Sequence, residues 1–330
     1  MATEYAIENV VEILRNTSLD FARDDKSISK LFRIKQANLK FAKSKYKMKN
    51  YLKKLYQNKD EWWLVLWISG MSLFWIWDIL FLNKPALHRL ETGILNTFSI
   101  ALTVSILSLG LSWLFAWALA VFESGKWRYL HIFLTFILNL IRSIPQIIGV
   151  LAVYYIIVTA KEVSTLQIVL YMGMGMTLFI FIELVDLMLE RIQHFKQTDF
   201  YAAMRVNGIS KHRIINIDIL WKNSLIHILN KLVFIFGIAV FLQCSVDFIL
   251  SVGLSTEISS VNLPSTLGSL LAKTDSKQDI LAIGYSMTHL SYLPKLFFEH
   301  LQGISIAFFI VFSLFSIYKI SNGFAERRQL

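Results

Sequence analysis

Residues Glu190–Asn223 read ERIQHFKQTDFYAAMRVNGISKHRIINIDILWKN, and the way this polar stretch is enclosed decides the fold. It lies between two apolar runs, Gln167–Leu189 (QIVLYMGMGMTLFIFIELVDLML) and Ser224–Leu250 (SLIHILNKLVFIFGIAVFLQCSVDFIL). Each run meets the roughly 20 residues that a helix needs to cross a ~30 Å hydrocarbon core. Inside the polar stretch, Thr198 is placed to cap a helix over Asp199–Val206, and Asn207-Gly208 is a C-terminal stop. Ser210 is placed to cap a second helix, running through Ile214, Ile215 and Leu220 into the next span. The prediction is a helix, a glycine break and another helix: a knuckle projecting from one face of a membrane. Connections this long rarely occur without a function of their own.

Four further apolar runs lie outside this unit: Trp62–Leu82, Gly93–Phe122, Tyr129–Val158 with a break at Pro145, and Ile304–Ile320. The fold class expected is therefore all-α and integral to the membrane, with six transmembrane helices and both termini on one side. Composition agrees, since 55% of the 330 residues are hydrophobic and only 17% charged, against about 25% charged in soluble domains. Mean hydropathy is +0.53. Loops on the knuckle side hold 25 Lys and Arg, those on the other side 6. The positive-inside rule then places the knuckle and both termini in the cytosol. The N-terminus, MATEYAIENVVEILRN, lacks the basic-then-apolar order of a cleavable signal peptide.

The net charge of +10 is concentrated at the front. Residues 1–60 hold 14 Lys and Arg against 7 Asp and Glu, and Lys30–Lys59 holds 11 basic residues and no acid. Leu31, Ile34, Phe41, Met48, Leu52 and Leu55 fall close to one helical face, which suits a helix lying in the inner interface against anionic headgroups. No zinc-ligand pair or aromatic RNA-binding box accompanies these charges, so the bilayer is the expected partner and nucleic acid is not. Three regions follow: a basic tail at 1–60, a first span and short outer loop at 61–92, and a core at 93–330. The core contains the knuckle loop at 190–223 and an outer segment at 251–302, which is expected to dip back toward the pore or cap it.

Enzymatic readings find no support in the residues. There is no GxxxxGK[ST] loop to cradle phosphates, no HExxH and no GxSxG elbow. The single cysteine, Cys244, sits in an apolar run, where a thiol is usually a small hydrophobe. No catalytic residue, metal site or cofactor is assigned to the chain. Polar residues within the spans are the candidates for function. Glu183 and Asp186 share a helical face, and Arg142 beside the Pro145 break is read as an interface anchor or a partner to one of them. Asn139, Gln243, Ser245 and Asp247 are deeper, and Asp247 is the candidate to meet a substrate or a paired subunit, or to make a helix–helix hydrogen bond. Ser108, Gly110 and Ser112 read as a close-packing strip, and Met172-Gly-Met-Gly-Met176 as a flexible packing run.

The knuckle resembles the signature loop of ABC importer permeases, whose pattern is Glu-Ala-Ala, three residues, Gly, then about ten residues to Ile-Leu-Pro. Ala202-Ala203-Met204 stand at the first three positions, Gly208 at the glycine, and Ile219-Leu220-Trp221 at the last three. The glutamate and the proline are replaced here. ESGKWRYLHIFLTFILNLIRSIPQIIGVLAVYYIIV resembles the third-span region of dipeptide, oligopeptide and nickel permeases, with Arg142-Ser143-Ile144-Pro145 at its break. LPSTLGSLLAK (Leu263–Lys273) resembles their outer Pro-x-x-x-Gly-x-x-Leu segment, and SNGFAERRQL their C-terminal ending. The resemblance covers about residues 93–330.

What the resemblance implies is a type I importer permease in a bacterial cytoplasmic (inner) membrane. It would pair with a second permease, identical or homologous, and take solute from an extracytoplasmic binding protein. ATP and Mg would be held by two ATPase subunits or domains. The knuckle would couple to them through Asp199, Tyr201, Ala202, Ala203, Met204, Arg205, Gly208, Ser210 and Arg213, with Tyr201, Met204 and Ile209 inserted in the partner's groove. Arg142, Pro145, Glu183, Asp186, Gln243 and Asp247 are the pore or gate candidates. Peptides or similar small solutes are the expected cargo, with nickel, other metals and phosphonate as rivals. A pore or scaffold subunit with no ATPase is the alternative from a different class.

Overall fold

Residues 58–123, 127–159, 164–253, 264–272 and 274–329 are described by the structure, a computed structural model. The amphipathic stretch from Leu31 to Leu55 lies outside the described residues, within a separate unit that ends at Asn58. Regular structure among the described residues is helical throughout. In order come α1 (Lys59–Phe81), α2 (Lys84–Phe122), α3 (Arg128–Ser143), α4 (Gln146–Thr159), α5 (Thr165–Ile180), α6 (Ile182–Lys196) and α7 (Asp199–Val206). A short α8 (Lys211–Arg213) runs into a π-helix (Ile214–Asn223), followed by α9 (Leu225–Gly253), α10 (Leu267–Leu271) and α11 (Thr274–Thr288). A 3₁₀ turn (Leu290–Tyr292), α12 (Leu293–Glu299) and α13 (Leu301–Gln329) complete the chain.

Four helices, α1, α2, α9 and α13, are long and apolar enough to cross a membrane. The pairs α3/α4 and α5/α6 pass the same test together but are bent by 91° and 42°, so the count reaches six if each bent pair is one span. Among the described residues the chain is all-helical, with four to six helices long and apolar enough to cross a membrane, as in a multi-pass membrane protein.

Three boundaries differ from expectation. α2 starts at Lys84 rather than Gly93, because the Asn83 side chain accepts from Ala86 N at 3.0 Å and Pro85 sits in the first turn. The expected outer loop is thus mostly helix. The third span is two helices nearly at right angles, and α4 alone, with 14 residues, rises only about 21 Å. The fourth span is not straight either; it bends at Phe181, where Ser112 Oγ from α2 donates to the Phe181 carbonyl at 2.7 Å.

Apolar surface gains little from association inside hydrocarbon, so close contacts and polar bonds must hold the helices. α13 lies on α1 through stacked Phe74 and Phe308 at 4.1 Å, a Trp67 Nε1 to Ser313 Oγ bond at 3.2 Å, and a Ser305 Oγ bond to buried Asp78. α2 packs on α5, α6 and α9. Ser108 and Ser112 are buried on its inner face as expected, but Gly110 is exposed with nothing near it. It therefore takes no part in the strip. Met172 and Met176 are fully buried, and Met176 Sδ accepts from Tyr154 OH at 3.2 Å.

Beyond α9, the described residues from Pro264 to Ala272 pack into the bundle. Thr266 to Leu270 are buried where α10 packs against α9, α2 and α13. A Cβ on Gly268 would stand 2.5 Å from the Cys244 carbonyl oxygen and 2.7 Å from Cys244 Cα, so only glycine admits this approach of α10 to α9.

Candidate functional site

The knuckle forms as a helix stop followed by a restart. Gly208 has φ +75°, a left-handed conformation that disfavours residues with a Cβ. Gly208 N donates to Arg205 O and Ile209 N to Met204 O, both at 3.1 Å, which is the Schellman pattern that closes a helix around a left-handed residue. Thr198 and Ser210 hold extended backbone at the two N-caps, but neither side chain caps its helix. Thr198 Oγ1 instead donates back to Phe195 O at 2.7 Å.

One expectation about this unit is corrected. Tyr201, Met204 and Ile209 are half-buried and pack against the chain's own core, so they are not free to enter a partner's groove. The Schellman turn explains this, since it brings Ile209 and Met204 together on the side facing the spans. The uncovered face carries Phe200, Ala203 and Val206, the last 88% exposed. Asp199, Ala202, Arg205, Ser210 and Arg213 are exposed as well. Lys211 Nζ donates to Val121 O at 3.1 Å, tying the restart to the end of α2. Beside it, Lys196 is paired with Glu123. That hydrogen bond holds the Glu123 carboxyl below its usual range, and burial pushes the Lys211 ammonium down.

The second site is a charged cluster where the two bent pairs meet. Arg142, at the end of α3, pairs with Asp186 of α6 and donates to Asn139 Oδ1 at 2.9 Å. Pro145 stands at the 91° bend and opens α4, its carbonyl accepting from Ile148 N and Gly149 N. Gln146 Nε2, at the first residue of α4, reaches Glu183 Oε1 at 3.5 Å. Glu183 Oε2 accepts from Lys231 Nζ of α9 at 2.8 Å. The structure thus brings together four sequence candidates, Arg142, Pro145, Glu183 and Asp186. It adds Gln146 and also Lys231, a cation whose place in an apolar span is plain in the sequence but whose partner is not. A cation 48 positions from an acid has no local pattern to reveal it; the usable signal was that a Lys inside an apolar span needs a partner.

These charges are not sealed. Side-chain exposure is 37% and 51% for Arg142 and Asp186, and 25% and 39% for Lys231 and Glu183. A charge left facing lipid costs roughly 2.5–3.5 kcal/mol even on the mildest scale, so this face calls for water or a second protein surface.

Gln243 and Asp247 do not join the cluster. Asp247 is 1% exposed, and its Oδ2 accepts from Thr266 Oγ1 at 2.6 Å. Gln243, one turn earlier, is fully buried and close to Asp247 at a geometry too loose for a hydrogen bond. Thr97 Oγ1 accepts from Leu267 N at 3.0 Å, and Thr266 Oγ1 from Ser269 N at 3.2 Å. Asp247 is therefore shut off from the surface and holds α10 in place. Ser245 is half-buried and donates to Phe241 O in its own helix. The sequence reading missed Asp78, the one acid in WWLVLWISGMSLFWIWDILF, which is fully buried against Ser305. It also missed a chain at the end away from the knuckle, in which Asp279 Oδ1 meets His300 Nδ1 at 2.8 Å and His300 Nε2 meets Tyr292 OH at 3.0 Å. Among the described residues, no group of His, Cys, Asp and Glu forms a metal site.

The chain matches no protein-family model, and no curated protein matches it. The described residues form a helical bundle with four to six helices apolar enough to cross a membrane, a polar cluster at two helix breaks and an exposed two-helix knuckle.

Proposed function

We propose that the chain is the permease subunit of an ATP-driven importer of the ABC type, in a bacterial cytoplasmic membrane with both termini and the knuckle inside. The observation that carries this reading is the knuckle itself. Its inner face is fixed to the spans by Tyr201, Met204, Ile209 and Lys211, while Phe200, Ala203 and Val206 are left uncovered. A unit joined firmly to the spans on one side and apolar on the other suits a part that is pushed. The ATPases close on ATP, the paired knuckles move together, and the pathway opens outward. The charged cluster supports the same reading, because its partly exposed ion pairs suit a face that lines a water-filled path or meets a paired permease. A second permease closes the pathway, a binding protein delivers the solute, and peptides or similar small solutes are the cargo class.

The test is purification of the tagged chain from membranes of its native host. The reading expects a chain bearing a GxxxxGK[ST] loop to co-purify in defined stoichiometry. Gly208→Val and Ala203→Asp should insert normally yet lose that ATPase. If no such chain is recovered and both variants behave as the parent does, the pore or scaffold alternative stands instead.

A further inference from the structure

At the end of the bundle away from the knuckle, the stretch from α11 to α12 exposes large apolar side chains without being loosely attached. Leu281 is 74% and Leu290 75% exposed, and Leu293, Phe297 and Phe298 are uncovered beside them. The same stretch is pinned to α13 by Asp279, whose Oδ2 accepts from Gly303 N at 2.7 Å and whose Oδ1 meets His300. His300 in turn meets Tyr292, at the start of α12. The apolar face is thus held outward by a hydrogen-bonded chain.

We infer that this face lies in the lipid leaflet at the end away from the knuckle, as an interfacial anchor. Continuity with the lipid-facing surface of α1 carries the inference. Phe298 packs edge-on against Phe81 at 5.3 Å and lies 6.0 Å from Trp77, both in the last turns of α1. Only 6% of the most apolar window of α1 is buried, so lipid covers whatever part of its free face no partner subunit takes if it spans. Below α12 that face deepens into a groove of about 620 Å³, lined by apolar residues including Leu73, Phe74, Pro294, Phe297 and Phe308. A hydrocarbon chain fills such a groove, whereas a water-soluble protein would have to reach below the interface to do so. The rim is what an interface selects: Tyr285 stacks on His289 at 4.2 Å, and Lys295 lies over the Tyr292 ring at 5.8 Å.

The inference is independent of the importer reading and is tested separately. In a Cys244→Ala background, nitroxide labels are placed singly at Leu290 and Phe298 in lipid nanodiscs. Leu73 on α1 serves as the lipid reference and Val206 on the knuckle as the aqueous one. Power saturation should give Leu290 and Phe298 labels more collision with oxygen than with a nickel chelate, as for Leu73. Greater access to nickel, as at Val206, would overturn the inference by placing the face in water. Protection from both reagents would overturn it too, because the face would then be covered by protein.

Discussion

Two carboxylate sites within the spans are arranged in opposite ways. Glu183 and Asp186 are partly exposed, and each is paired with a full cation, Lys231 or Arg142. Asp247 is closed off and holds a threonine hydroxyl, in a pocket that also contains Gln243 and the tight Gly268 contact. The first site is built of long side chains from elements interrupted at Pro145 and Phe181; the second is built of short ones around a helix of five residues. Long paired charges with water access can separate and re-form at small cost. A buried hydroxyl–carboxylate bond cannot do so without leaving polar atoms unmatched. The cluster at the breaks is suited to move, and the Asp247 pocket to hold.

Substitutions should separate the two. The largest loss of stability is expected for Gly268→Val, because the Cβ meets backbone atoms of α9 that cannot swing aside. About 3 kcal/mol is expected, at the upper end for overpacking, read as a lower melting temperature in detergent. Asp247→Ala should come next, at ~1–3 kcal/mol, from the unmatched Thr266 hydroxyl and the space left behind. Lys231→Ala should cost under about 1 kcal/mol, since Glu183 keeps access to water, while solute flux in vesicles falls sharply. If Lys231→Ala proves more destabilising than Asp247→Ala, the contrast between the sites is wrong.

The smallest effect expected is with pH, at the base of the knuckle. Glu123 is held below its ordinary value of 4.5 by its bond to Lys196. The folded carboxyl is the stronger acid, so its contribution is complete above the ordinary carboxylate range. It is lost only as pH falls through the lowered folded value. Amide exchange in residues 190–213 should therefore be steady from neutrality to pH 5 once corrected for intrinsic rates, and rise in stronger acid. A rise already complete at pH 5 would count against the Glu123–Lys196 anchor.

Features with a local cause could be read from the sequence. Asn207-Gly208 stops α7 because of a backbone angle, and Pro145 interrupts a span because of its ring. The Arg142–Asp186 pair was one of the pairings open at that level. Features set by distant partners could not. Tyr201 and Met204 point to the spans because the turn at Gly208 brings Ile209 back beside Met204, and an eight-residue helix with apolar residues on two sides does not reveal which side is covered. The 91° angle at Pro145 depends on how α3 lies against Leu119, Phe181 and Val185. Lys231 finds its acid across two helices.

The central claim is that the knuckle is an ATPase-docking element with a defined outer face. Photocrosslinking tests it most directly. A benzophenone side chain is placed at Phe200 on the open face, or at Tyr201 on the covered face, and irradiated in native membranes. The account predicts that Phe200 captures a chain with a GxxxxGK[ST] loop and that Tyr201 yields only crosslinks within its own chain. Capture of no such chain at Phe200, with the protein inserted and folded, would contradict it.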